Sequence, residues 1–133
     1  MNELVIDAKE ENLTTVLEFV ESELIAKGCS ARVQNHIALA VEEIFINITN
    51  YAYESEVGAV IIRSSIDDEV SIEFEDNGVP YNPLENPEPD TDASLEEREI
   101  GGLGIHMVKN IMDSVEYRNE DKKNILIIRK CIE

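Results

Sequence analysis

Hydrophobic spacing divides the chain into helical and extended segments. Residues 3–8 (ELVIDA) read as a short strand. From 12 to 27, apolar residues recur at Leu13, Val16, Leu17, Phe19, Val20, Leu24 and Ile25, the spacing of a helix buried along one side. Asn12 or Thr14 can cap its start, and Gly28 stands where a helix stops. Ser30 is placed to cap a second helix, predicted to run to about Tyr53. Beyond it the period shortens to that of strands. Residues 59–66 (AVIIRSSI) and 70–75 (VSIEFE) flank Asp67-Asp68-Glu69 and predict a hairpin, which ends at Asp76-Asn77-Gly78. Residues 79–100 keep no period and hold all four prolines and a dense set of acids. Such a long unpatterned connection reads as a functional lid or a disordered segment. Gly101-Gly102-Leu103-Gly104 follows, then a predicted helix over 105–112 and a closing hairpin from 115–118 and 124–131.

The second helix departs from ordinary amphipathic patterning. Between Ile37 and Tyr53 it has no Gly or Pro. At roughly 100° per residue, Glu43 and Asn47 fall nearly in line, Asn50 lands beside them, and His36 precedes them by one or two turns. Ile37, Ala38, Val41, Ile44, Phe45, Ile48 and Ala52 take the opposite side, while Leu39 and Ile46 flank the polar seam. A carboxylate-and-amide seam on a largely apolar helix is either a satisfied buried network or one wall of a site.

The element order is strand, two helices, two strands, lid, helix, two strands. It predicts an α+β two-layer sandwich, with a mixed, mostly antiparallel sheet carrying its helices on one face. No internal repeat interrupts it, so one domain is expected over residues 1–133, with a lid at about 79–104.

Charge narrows the partners. A net charge of −18 argues against nucleic acid or an anionic membrane, because both need a basic footprint. It suits a basic protein surface, and equally suits solubility alone. No apolar run reaches the length of a membrane span, and the first residues lack a signal-peptide pattern, so a cytoplasmic protein is expected. Cys29 and Cys131 have no metal-ligand spacing and read as ordinary thiols. His36 and His106 are too few for a His-rich metal site.

Three segments carry candidate chemistry, each with a plainer alternative. Asn47 offers an amide oxygen, a hard ligand suited to Mg²⁺ that shares phosphate oxygens, and Glu43 one turn away can accept a proton or orient a water. The plainer reading is a buried polar pair. Asp76-Asn77-Gly78, at a strand end, can accept a hydrogen bond from an exocyclic amine while Gly78 admits a ligand close to the backbone; the same tripeptide is a favoured turn. Gly101 to Gly104 opens a helix, where free N–H groups favour anions; it can also be a hinge. It lacks the glycine spacing of a dinucleotide fingerprint and the Lys-Ser or Lys-Thr of a Walker loop.

In this order and spacing the segments resemble the GHKL (Bergerat) ATP-binding fold. Within it the chain is most similar to the small stand-alone bacterial anti-sigma-factor serine kinases. The stretches ALAVEEIFINITNYAY, DNGVPYNPL and EEREIGGLGIHMVKNIMD carry the resemblance, and NILIIRK resembles the family's last strand. The resemblance implies ATP and Mg²⁺ as cofactors. It implies that Asn47 holds the metal, Glu43 activates the attacking hydroxyl, Asp76 reads the adenine amine and Gly78 packs beside the base. It implies that Gly102, Leu103 and Gly104 form the phosphate-binding end of the lid, with Arg98 near the terminal phosphate. Asn50 takes a supporting place near the site. His106 is read as facing solvent, the acids of 85–99 as solvated, and Tyr51, Tyr53, Tyr81 and Tyr117 as packing residues.

The activity so implied is a protein serine kinase acting on an anti-anti-sigma factor with a STAS-type domain, and a homodimer is in keeping with the family. A competing expectation is a non-catalytic, ATP-gated module that sequesters a sigma factor or another regulator. A histidine-kinase catalytic domain is a third, less favoured because no phosphoacceptor helix accompanies it.

Overall fold

The structure, a computed structural model, describes residues 1–51, 58–80, 82–85 and 102–132; the side chains of Tyr51, Glu85 and Leu103 lie outside the description. Five strands form one sheet: β1 (Asn2–Asp7), β2 (Ala59–Ile66), β3 (Glu69–Asp76), β4 (Ser114–Glu120) and β5 (Lys123–Cys131). The helices are α1 (Leu13–Ala26), α2 (Ala31–Tyr51) and α3 (Gly102–Ile111). The spatial strand order is β1-β2-β3-β5-β4. Every neighbouring pair is antiparallel, so the expected mixture resolves to an antiparallel sheet.

Alternation within the strands sorts the two faces. Val60, Ile62, Ile66, Val70, Ile72, Phe74, Leu126 and Ile128 point toward the helices and join one core with Val16, Val20, Leu24, Ile37, Val41, Ile44, Phe45, Ile105 and Val108. On the other face Arg63 links three strands, binding Glu3 on β1 at 2.9 Å and Glu73 and Glu75 on β3 at 2.7 and 3.1 Å. Its three carboxylate partners hold the guanidinium firmly charged.

Local chemistry accounts for the element ends. Gly28 adopts φ 72°, the left-handed stop that a residue with a Cβ resists. The Ser30 hydroxyl accepts from the Val33 N–H at 3.2 Å, the cap expected of it. The β4–β5 turn is unusual. Asp121 and Lys122 both take positive φ, 51° and 66°, the backbone of a type I′ turn in which Lys122 occupies a position favouring Gly.

Three expectations change in α2 and α3. Ala38 is exposed and Ala40 is buried in its stead, because the helix presents the arc through Val33, Ile37, Ala40, Val41, Ile44 and Phe45 to the sheet. Asn50 is exposed at the end of the helix. Helix α3 starts at Gly102, not at residue 105, so the glycine-rich segment supplies its first turn instead of a loop before it. The expected lid beyond residue 85, with Arg98 and the acid run, lies outside the described residues, as do Tyr53 and Tyr81.

Candidate functional site

A cleft opens between the sheet end, α2 and the start of α3. Ile44, Ile48, Phe74, Ile105 and Leu126 give it apolar walls, with Val79 and Pro83 at the loop side; Asn47, Asp76, Tyr117 and Asn124 contribute its polar groups.

Each polar group is placed by its element. Asp76 is the last residue of β3 and lies on the inward-facing row with Phe74 and Ile72. It is 6% exposed, and its Oδ1 accepts from the Gly78 backbone N–H at 2.8 Å, closing a turn over Asn77. Burial pushes its carboxyl above the ordinary range, against the opposing pull of the hydrogen bonds from Asn124 and Gly78. Asn47 is 8% exposed and reaches the cleft from α2, three residues after the fully packed Ile44.

Glu43 stands one turn before Asn47, where α2 meets the first turn of α3. A Cβ built on Gly104 would collide with the Glu43 carboxylate, so that carboxylate occupies the space a side chain at position 104 would take. Burial, with the neighbouring Glu42 charge, raises the affinity of Glu43 for a proton. The carboxylate lies against the first turn of α3.

Of the residues expected at the site, the structure brings Asn47 and Asp76 into the lining of the cleft; Gly78 adjoins it through its bond to Asp76, and Glu43 lies against Gly104 at the start of α3, outside that lining. It does not bring Asn50 or His36 into the lining of the cleft. His36 is half-buried; its Nδ1 is buried with no hydrogen-bond partner among the described residues, and burial with Lys130 and Arg32 nearby lowers its affinity for a proton. His106 is half-buried instead of fully turned to solvent.

Two lining residues escaped sequence reasoning. Asn124, directly across the β3–β5 ladder from Asp76, donates to the Asp76 Oδ1 and to the Val79 carbonyl, both at 3.0 Å. Tyr117, expected to be a packing residue, donates its hydroxyl to Asn124 Oδ1. A signal for Asn124 was present: it heads the inward row Asn124, Leu126, Ile128, where one polar residue begins an apolar face.

Among the described residues, no group of three or more His, Cys, Asp or Glu side chains is arranged to hold a metal ion. The donor set fits a cation that takes one amide oxygen from Asn47 and its remaining ligands from phosphates and water. No helix among the described residues is long and apolar enough to cross a membrane.

A buried carboxylate at a strand end, an amide on a facing helix and a glycine-rich helix start around an apolar cleft define a nucleotide-binding α/β sandwich. The chain belongs to the histidine kinase-like ATPase domain family, whose model matches residues 6–130. ATP is the ligand that this membership implies. The chain is 38% identical over 96 residues to the anti-sigma F factor of Clostridium perfringens (strain SM101 / Type A), covering 71% of this chain and 69% of that protein. It is 28% identical over 118 residues to the serine/threonine-protein kinase BtrW of Bordetella bronchiseptica, covering 86% and 82%. The Acinetobacter baumannii histidine kinase AdeS shares its fold, with a TM-score of 0.52 and 14% identity over 100% of this chain and 68% of that one.

Proposed function

We propose that the protein is an ATP-dependent serine kinase of the anti-sigma type, which phosphorylates a small anti-anti-sigma partner and so regulates transcription by partner switching. The observation that carries the reading is the pairing of a buried acceptor, Asp76, with a second carboxylate, Glu43, packed against the start of α3. Relatives named anti-sigma F factor and serine/threonine-protein kinase support it.

In this reading the adenine amine donates to Asp76 and the base lies beside Gly78. The backbone N–H groups of Gly102, Leu103 and Gly104 receive the phosphates at the start of α3. Asn47 would hold Mg²⁺, whose charge would offset that of the phosphates, and Arg98, outside the described residues, is assigned to the terminal phosphate by the family resemblance alone. The serine Oγ attacks the γ-phosphorus, the bond to the β–γ bridging oxygen breaks, and ADP leaves. Glu43 accepts the serine proton; its raised proton affinity suits that task. Most of the acceleration in such a transfer comes from positioning and charge neutralisation.

Radiolabelled ATP with a STAS-type partner tests the assignment. Label should move to a partner serine with the wild type and fall by about 10²-fold or more with Glu43→Ala, the usual scale for losing a general base. Titration of Mg·ATP should weaken with Asn47→Ala and with Asp76→Ala. Nucleotide binding without any transfer would select the alternative of an ATP-gated module that sequesters a sigma factor. The reading also places the protein in the cytoplasm as one domain, and includes a homodimer; cell fractionation and sedimentation of the purified chain test these points.

A further inference from the structure

Asp76 and Asn124 lie 48 residues apart in sequence, yet face each other across the β3–β5 ladder, and both line the cleft. Both are 6% exposed. The Asn124 amide is committed on both sides. Its Nδ2 donates to Asp76 Oδ1 and to the Val79 carbonyl, each at 3.0 Å. Its Oδ1 accepts from the Tyr117 hydroxyl and from Asn119 Nδ2, the latter at 3.2 Å. The two acceptors on the Nδ2 side, neither of which can donate, fix which way the amide faces: a flipped amide would set its oxygen against the Asp76 carboxylate and the Val79 carbonyl. Asp76 Oδ1 in turn accepts both the Asn124 amide and the Gly78 N–H. Its Oδ2 has no hydrogen bond among the described residues, and Asp76 lines the cleft.

We propose that Asn124 is a specificity-determining positioning residue: by locking Asp76 as an ionised, one-sided acceptor, it makes the cleft select 6-amino over 6-oxo purine nucleotides. The proposal rests on the reading in which Asp76 meets the base. A 6-amino group donates to Oδ2. A 6-oxo group brings an oxygen against it, and the N1–H that accompanies that group can reach the carboxylate only if the base leaves its place, which is how polar sites reject close analogues. Removing the Asn124 donor leaves Gly78 as the single anchor of Oδ1. The carboxylate can then turn, and its charged form loses a stabilising bond while the burial that opposes ionisation remains. A neutral carboxyl both donates and accepts, so it receives an oxo group as readily as an amine. The bond to Val79 acts on the wall of the cleft and affects all ligands alike, so a ratio of affinities separates the two effects.

The test is calorimetric titration of the full chain with Mg·ATP and with Mg·inosine triphosphate, which carries a 6-oxo group. Wild type should prefer ATP. Asn124→Leu and the near-isosteric Asn124→Asp should each reduce the ATP-to-inosine-triphosphate affinity ratio about tenfold, the effect of one hydrogen bond to a charged group. Tyr117→Phe, which removes only the hydroxyl that orients the amide, should lower the ratio about threefold, the scale of a weaker neutral hydrogen bond. It keeps the proposal testable if the Asn124 variants fold poorly. A merely structural role would weaken both nucleotides equally; ratios within about twofold of wild type in all variants that fold would overturn the proposal. Asp76→Ala separates the layers. Full ATP affinity in Asp76→Ala removes the base-reading role of Asp76 and the proposal with it. Weakened ATP affinity there, beside unchanged ratios in the Asn124 and Tyr117 variants, removes the proposal alone.

Discussion

Replacing Gly104 by Ala should separate stability from catalysis. Position 104 lies in the first turn of α3, and its added Cβ would land on the Glu43 carboxylate. One of the two must move. The carboxylate is the far end of a flexible side chain, whereas residue 104 is held by the helix that carries the buried Ile105 and Val108. Glu43 should therefore swing away from α3. The stability cost is small: even a full charge–helix contact at α3 would be worth only about 0.3–1 kcal/mol, and Gly→Ala in a helix returns up to about 1 kcal/mol. The thermal midpoint should stay within a few degrees of wild type. Phosphoryl transfer should instead fall by about 10²-fold or more, because the proton acceptor has left its place. A double-mutant cycle gives the cleanest readout. Single-turnover transfer would be measured at saturating ATP for wild type, Glu43→Ala, Gly104→Ala and the double variant, with ATP affinity measured separately. The double variant should be no slower than Glu43→Ala, since the Gly104 effect acts through Glu43. Two results would refute the reasoning. Full activity in Gly104→Ala would show that Glu43 does not depend on this contact. A loss of more than about 2 kcal/mol in stability, beyond the helix terms above, would show that backbone absorbs the clash.

Other consequences can be checked directly. Burial raises the Asp76 pKa, so the folded state takes up that proton at a higher pH than the unfolded chain does. The contribution of Asp76 to stability should therefore improve as pH falls from the raised value toward the ordinary carboxylate range. ATP affinity, which needs the ionised acceptor, should move the opposite way; titrations from pH 7 downward that show affinity rising would contradict this. Phe45 is completely buried, and Phe45→Ala should cost about 3–5 kcal/mol, seen as a lower urea midpoint with an unchanged slope. Lys122→Gly should stabilise by about 1 kcal/mol by relieving the positive φ of the β4–β5 turn; a lower thermal midpoint would show that the Lys122 side chain contributes more than the strain costs.

Much of the site was legible because it rests on local periodicity. A helix advances by a fixed angle, so Glu43 and Asn47 had to share a face wherever α2 packed. A strand alternates, so Asp76 had to join Phe74 and Ile72 on one side of β3. The glycine-rich segment was legible as an opening to α3, although the helix takes Gly102 to Gly104 into its own first turn. The edges of these patterns were less secure: Ala38 lies at the margin of the buried arc, and only packing decided that Ala40 would fill that place.

What the sequence determined, then, was which face each functional side chain takes within its own element. Tertiary structure decided which faces meet. Strand β5 inserts between β3 and β4, and its register sets Asn124 opposite Asp76. That pairing depends on contacts across 48 residues and on the fit of two apolar rows, neither of which local spacing encodes. The approach of Glu43 to Gly104 likewise requires α2 and α3 to pack on the same sheet face. The missing Cβ was visible in the chain; the carboxylate that fills its place became visible only once the two helices were set side by side.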